Sequence, residues 1–275
     1  MDTYARDGLV FQVRDSGPRG AEAVVCLHGF PQDARAFGAV GRRLTAAGLR
    51  VLAPDQRGYS PGARPPGRAA YVLPELVADV LALADAAGAR RVHVVGHDWG
   101  GVVAWALAAA HPDRVRSATV LSTPHPAALR AAALRGGQAL RSAYAAGFQV
   151  PALPERLLLA RSGAALRTLL ARGGLPGELA DGYARRMAEP GALSAALGWY
   201  RALPLQRART GPAAVPVAFL HGRHDPFFSP AAVHGTAAHV RAPFTSRRLP
   251  TGHWLPEREP AAVADAVLDL VARTS

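Results

Sequence analysis

Val92-His93-Val94-Val95-Gly96-His97-Asp98-Trp99-Gly100-Gly101 decides the reading of this chain. A β-branched run ends in a turn with glycine on both sides of one acidic residue, and an apolar helical stretch, residues 99–110, follows. Strand, Gly-x-nucleophile-x-Gly, helix is the pattern of a nucleophile elbow. Its glycines leave room where side chains would collide, and the N-terminus of the following helix favours nearby negative charge. Asp98 holds the central place. A carboxylate attacking an ester or amide would give an anhydride, a poor intermediate. A carboxylate attacking saturated carbon gives an alkyl ester, which water can cleave. The turn therefore points to an epoxide or an alkyl halide as the reacting group. Asp is also a favoured helix N-cap, so the other residues of the site must carry part of the argument.

Working outward, strand-like and helix-like segments alternate. Residues 9–13, 23–27, 49–53, 92–95 and 115–121 read as strands, and 34–47, 74–87 and 99–110 as helices. The second helix has Pro74 in its first turn, Gly88 just past its end and apolar Leu76, Val77, Val80, Leu81 and Ala84 on one face. The alternation resumes with strands at 215–220 and 245–249 and helices at 231–239 and 261–272; Glu257 and Glu259 stand near the positive end of the last helix. Such a pattern implies an α/β class with a mostly parallel sheet flanked by helices. Residues 126–211 break it with helical stretches and Pro/Gly interruptions. The expected organisation is a core of 1–125 and 212–275 with a helical cap, 126–211, inserted over the strand ends.

A nucleophile–acid–His order predicts two partners downstream. His253, in Thr251-Gly252-His253-Trp254, and Asp225, in His224-Asp225-Pro226, each follow an expected strand, where open parallel sheets place their sites. His253 is the candidate base on water, with Asp225 fixing its tautomer. Among the ten histidines, His97 should point away from the nucleophile. His28, His125, His221 and His224 read as structural, and His93, His111, His234 and His239 lack a matching context. Asp113 and Asp265 lie in or near helices, and the loop after Leu121 carries no carboxylate. The loop His28-Gly29-Phe30-Pro31 can offer the Phe30 N–H to an oxyanion, with the Trp99 N–H as second donor.

Composition bounds the rest. The chain has 275 residues, 49% hydrophobic and 19% charged, which excludes a disordered chain and suits one core with an insert. No apolar run reaches membrane-spanning length, and the start lacks a secretory pattern. The single cysteine, Cys26, excludes an internal disulfide and a cysteine-rich zinc site, and suits a cytoplasmic location. The net charge is +12, but all 32 basic residues are arginine and no more than two are adjacent. That scatter reads as composition rather than a nucleic-acid footprint.

Taken together, His28-Gly29-Phe30-Pro31, Gly96-His97-Asp98-Trp99-Gly100-Gly101, Asp225 and Gly252-His253-Trp254 resemble the α/β-hydrolase fold and, more narrowly, its epoxide hydrolases, over about residues 24–260. Asp55-Gln56-Arg57-Gly58-Tyr59 resembles a structural loop of that family. The resemblance implies Asp98 as nucleophile, His253 as base and Asp225 as its partner, no metal or organic cofactor, and a small apolar epoxide as substrate. It also implies two proton-donating cap tyrosines. Tyr200, in Gly198-Trp199-Tyr200-Arg201, and Tyr144, five residues before Gln149, match those blocks. Phe30, Trp99 and Trp254 are expected to line the pocket, and the small residues Ala145, Ala146 and Gly147 to widen it.

Haloalkane dehalogenases carry the same triad, but a halide leaves as a stable anion and needs donors, not a proton. Phe30 stands where many of them have an Asn donor; Trp99 could still hold a halide. A non-catalytic small-molecule binder on this fold is the alternative of another class, and it would not need a complete triad.

Overall fold

The computed structural model describes residues 1–135, 137–207 and 209–274. An eight-stranded sheet forms its centre: β1 (Thr3–Arg6), β2 (Leu9–Ser16), β3 (Ala23–Leu27), β4 (Arg50–Pro54), β5 (Val92–His97), β6 (Val115–Leu121), β7 (Val217–Gly222) and β8 (Phe244–Leu249). The spatial order is β1-β2-β4-β3-β5-β6-β7-β8. β1 and β2 run antiparallel to their neighbours, and the strands from β4 to β8 run parallel. The N-terminal hairpin adds a strand, β1, that the sequence pattern did not suggest.

β3, β4 and β5 are buried along their whole length because helices cover both faces. The helices that pack on the sheet are α1 (Gly38–Ala46), α2 (Leu73–Ala86), α3 (Trp99–Ala110) and α12 (Pro260–Thr274), the last preceded by the short α10 (Pro230–Gly235) and α11 (Leu255–Arg258). The expected helix 34–47 is a 3₁₀ turn over Ala34–Phe37, capped by Asp33, before α1 begins. The expected helix 231–239 likewise divides into α10 and a 3₁₀ turn over Thr236–His239. β8, at the sheet edge, turns Arg247 and Arg248 outward, a pattern that discourages edge pairing.

Residues between β6 and β7 form helices α4 (Pro126–Arg135), α5 (Gln138–Arg141), α6 (Tyr144–Gly147), α7 (Leu153–Arg172), α8 (Gly177–Met187) and α9 (Ala192–Arg201). α7 is broken over residues 160–163, where Arg161, Ser162 and Gly163 take positive φ. Polar contacts fasten these helices to the loops of the sheet. Trp199 Nε1 donates to the Arg57 carbonyl at 2.8 Å, Arg186 pairs with Asp55 at 3.1 Å, and Trp254 Nε1 donates to the Leu170 carbonyl at 3.1 Å.

Register sets the position of the site. Leu27 pairs with Gly96, His97 with Leu121, Leu121 with Leu220, and Gly222 with Leu249. The C-terminal ends of β3, β5, β6, β7 and β8 are therefore level. The loops leaving them share one rim, under the inserted helices.

Candidate active site

Asp98 leaves β5 with φ 51° and ψ −118°, a backbone conformation that side chains other than glycine's rarely adopt, and α3 starts at the next residue. Its side chain makes no N-cap bond to α3, so helix capping does not account for it. The flanking glycines are required by close approach. A Cβ on Gly100 would lie 2.1 Å from the Leu27 carbonyl oxygen, and one on Gly96 2.2 Å from the Gly100 oxygen. The Phe30 N–H donates to Asp98 Oδ1 at 2.9 Å. Burial pushes the Asp98 carboxyl above its ordinary value; His253 and the amides of Phe30 and Trp99 oppose that shift and favour the anion.

His253 lies in the loop after β8. Its Nε2 is 3.8 Å from Asp98 Oδ2, and its Nδ1 is 2.7 Å from Asp225 Oδ2. Asp225, after β7, is held in turn by the Phe227 N–H, which donates to Oδ1 at 2.8 Å. Burial opposes an imidazolium at His253, but the charge and hydrogen bond of Asp225, with Asp98 behind them, raise its pKa above the ordinary value. Three groups from three strand ends are thus in line, carboxylate–imidazole–carboxylate, with one ring nitrogen toward each acid.

Tyr144, at the start of α6, and Tyr200, in α9, line the same cavity as Asp98 and His253, with Phe30, Phe227, Leu169 and Trp254 completing most of its wall. Tyr144 and Tyr200 pack edge to face with ring centroids 6.0 Å apart. Gln149 Nε2 donates to the Tyr200 carbonyl at 2.7 Å, and Arg201 Nε to the Phe148 carbonyl at 3.0 Å, so the two tyrosine-bearing segments are tied together. Burial raises the pKa of both phenols, and Asp98 adds to this, so each hydroxyl keeps its proton at neutral pH.

Trp99 stands beside this cavity: its ring packs edge to face on Trp199 and on the cavity residue Tyr200, at 5.7 and 5.0 Å. One expectation about the pocket is corrected: Ala145, Ala146 and Gly147 do not widen it. Ala146 and Gly147 face solvent, and Tyr144 and Phe148 take the inward positions of that turn. The cavity's volume is about 20 Å³, room for about one water molecule.

Several contributors had no signal of their own in the sequence. Gln32, next to the quoted Phe30-Pro31 pair, accepts from the Gly29 N–H at 2.9 Å and donates to Glu257 Oε1 at 2.7 Å. Glu257, expected to serve the end of the last helix, belongs to α11 and points inward to Gln32 and Tyr183. The second loop is structural: Gln56 Nε2 donates to the His28 carbonyl at 2.6 Å, and Arg57 makes a buried bidentate pair with Asp79, both bonds 2.7 Å. His97 turns from Asp98 and contacts the His253 carbonyl at 3.0 Å.

Residues 22–260 match the family model described as alpha/beta hydrolase fold. The chain belongs to that family. It is 32% identical over 270 residues to the AB hydrolase superfamily protein YfhM of Bacillus subtilis, covering 96% of this chain and 94% of the relative. It is 31% identical over 310 residues to epoxide hydrolase A of Mycobacterium tuberculosis, covering 96% and 95%. Among solved structures, epoxide hydrolase A from Mycobacterium thermoresistibile superposes with a TM-score of 0.85 at 26% identity, covering 99% of this chain and 98% of that one. No helix among the described residues is long and apolar enough to cross a membrane.

Proposed function

We propose that this protein hydrolyses a small apolar epoxide to a vicinal diol through an alkyl ester on Asp98. The observation that carries the reading is a pair of protonated phenols, Tyr144 and Tyr200, lining the same cavity as a carboxylate that is backed by His253 and Asp225. The epoxide-hydrolase names of relatives that match the chain almost end to end support it.

The chemistry follows from the groups. Asp98 attacks an epoxide carbon from the side opposite the C–O bond, and that bond breaks. The ring oxygen would leave as a strongly basic alkoxide; it takes a proton from Tyr200 or Tyr144 instead. The product is a hydroxyalkyl ester of Asp98 and a tyrosinate. His253 then removes a proton from water, whose oxygen attacks the ester carbonyl carbon. The N–H groups of Phe30 and Trp99 receive the oxyanion. Collapse releases the second diol hydroxyl and restores the Asp98 carboxylate, with one proton left on His253. Its return to the tyrosinate closes the cycle.

The direct test is the intact mass of the His253→Gln variant after mixing with a panel of small epoxides and alkyl halides. The expected result is a gain equal to the whole epoxide, abolished when Asp98→Ala is added. A gain equal to an alkyl group, with halide released, would assign a dehalogenase. No adduct from either panel, with inert wild type, would favour a binding role.

A further inference from the structure

Behind the triad lies a buried polar chain that the reaction above does not use. It starts at Tyr183, on α8, whose hydroxyl donates to Glu257 Oε1 at 2.9 Å. Gln32 Nε2 donates to the same oxygen at 2.7 Å. Gln32 Oε1 accepts from the Gly29 N–H at 2.9 Å, and His97 Nδ1 is 2.7 Å from it. His97 Nε2 faces the carbonyl of His253 at 3.0 Å, and Ser122 Oγ donates to that carbonyl at 2.6 Å. The chain thus joins an inserted helix to the two main-chain segments that matter: the Gly29-Phe30 loop, which holds Asp98 Oδ1, and the residue that carries the base.

The orientation of each member follows from the others. The Gly29 N–H can meet only the oxygen of the Gln32 amide, so its NH₂ must face Glu257. Burial keeps His97 neutral, with one ring proton for two oxygen neighbours. Whichever oxygen it serves, the other has a second donor: the Gly29 amide for Gln32, the Ser122 hydroxyl for His253. Glu257 is the only acceptor for both the Gln32 NH₂ and the Tyr183 hydroxyl among the contacts of the described residues. Its other oxygen, Oε2, is buried with no hydrogen-bond partner among the described residues. A carboxylate kept under those conditions is costly to stability, which suggests a use elsewhere.

We infer that Glu257 is a positioning residue for ester hydrolysis: through Gln32 and His97 it sets the backbone of Gly29 and His253, and so the oxyanion donor and the base. This rests on the epoxide reading above. Removing the acceptor leaves the Gln32 amide free to turn and loosens His253, which the second step needs and the first does not.

The test follows both steps by rapid quench and intact mass, with styrene oxide as probe. Glu257→Met is expected to slow ester breakdown at least tenfold while ester formation stays within threefold of wild type, so that ester accumulates. Glu257→Gln, which keeps an acceptor, should recover most of the loss. If Glu257→Met does not fold, Gln32→Met carries the same expectation. Equal slowing of both steps, no slowing, or no recovery with glutamine overturns the inference. Wild type that turns over styrene oxide without any ester on Asp98, or fails on a broad epoxide panel, overturns the epoxide reading instead, and this inference with it.

Discussion

Asp225→Asn tests the triad more sharply than any deletion, because the structure fixes which way the new amide must face. The Phe227 N–H sits 2.8 Å from Oδ1 and needs an oxygen there. The asparagine NH₂ is then placed at the Oδ2 position, 2.7 Å from His253 Nδ1. A donor there forces the ring proton to Nε2, the nitrogen that must accept a proton from water. Recovering the working tautomer sets two buried N–H groups against each other, each without a partner. At about 1–3 kcal/mol per unsatisfied group, the penalty is about 2–6 kcal/mol. At about 1.4 kcal/mol per factor of ten, that slows ester hydrolysis by about 30- to 10⁴-fold. The same exchange in a Ser–His–Asp triad costs about 10⁴ by this route. Alkylation needs the Asp98 carboxylate and no base, so it should persist. Single-turnover rapid quench with intact-mass detection separates the two steps: ester should form at near wild-type rate and then remain. Hydrolysis within tenfold of wild type, or an equal fall in both steps, would refute the assignment of Asp225 as the tautomer-fixing acid.

Other consequences are as direct. Tyr200→Phe should slow ester formation by about 10- to 100-fold while leaving ester breakdown near wild type, and Tyr144→Phe added to it should deepen the loss, since general acid catalysis is worth about 10²–10⁴; a double variant as fast as wild type would remove both as donors. Because Asp225 raises the His253 pKa and the base must be neutral, hydrolysis should fall as pH drops through a value above about 6.5; a single-turnover pH profile flat to pH 5 would contradict this. Gly100→Ala should destabilise the fold by about 3 kcal/mol or more, because its Cβ would meet the Leu27 oxygen at 2.1 Å; an unchanged urea midpoint would show that the elbow relaxes. Burial pushes Glu257 up to about 7 from an unfolded value near 4.5, so its contribution is present below pH 4.5 and lost as pH rises through 7. Wild type should therefore lose about 2–3 kcal/mol between pH 5 and 8 relative to Glu257→Gln, read from paired urea titrations; parallel pH dependences would refute the shift.

What the sequence disclosed and what it concealed divide along a physical line. The elbow was legible because its glycines answer to local sterics: Gly96 and Gly100 stand where no side chain fits, and the strand and helix on either side are set by nearby residues. The strand ends before Phe30 and Asp225 were legible for a related reason, since uniformly apolar runs identify strands covered on both faces. Direction was harder. Ala145 to Gly147 occupy the right segment, but which way that turn faces depends on Phe30 and Tyr200, which pack on Phe148 and lie far off in sequence.

The Gln32–Glu257 link was the least accessible. It joins residues 225 positions apart, and each has an adequate local explanation: one extends a loop motif, the other stands near a helix start. Only the meeting of the two at 2.7 Å, away from water, gives the pair meaning. The elements that position this site follow from patterns of a few residues. The groups that tune it become visible when one asks where each buried donor and acceptor finds its partner. Glu257 Oε2, which finds none among the described residues, is one place where that accounting leaves a remainder.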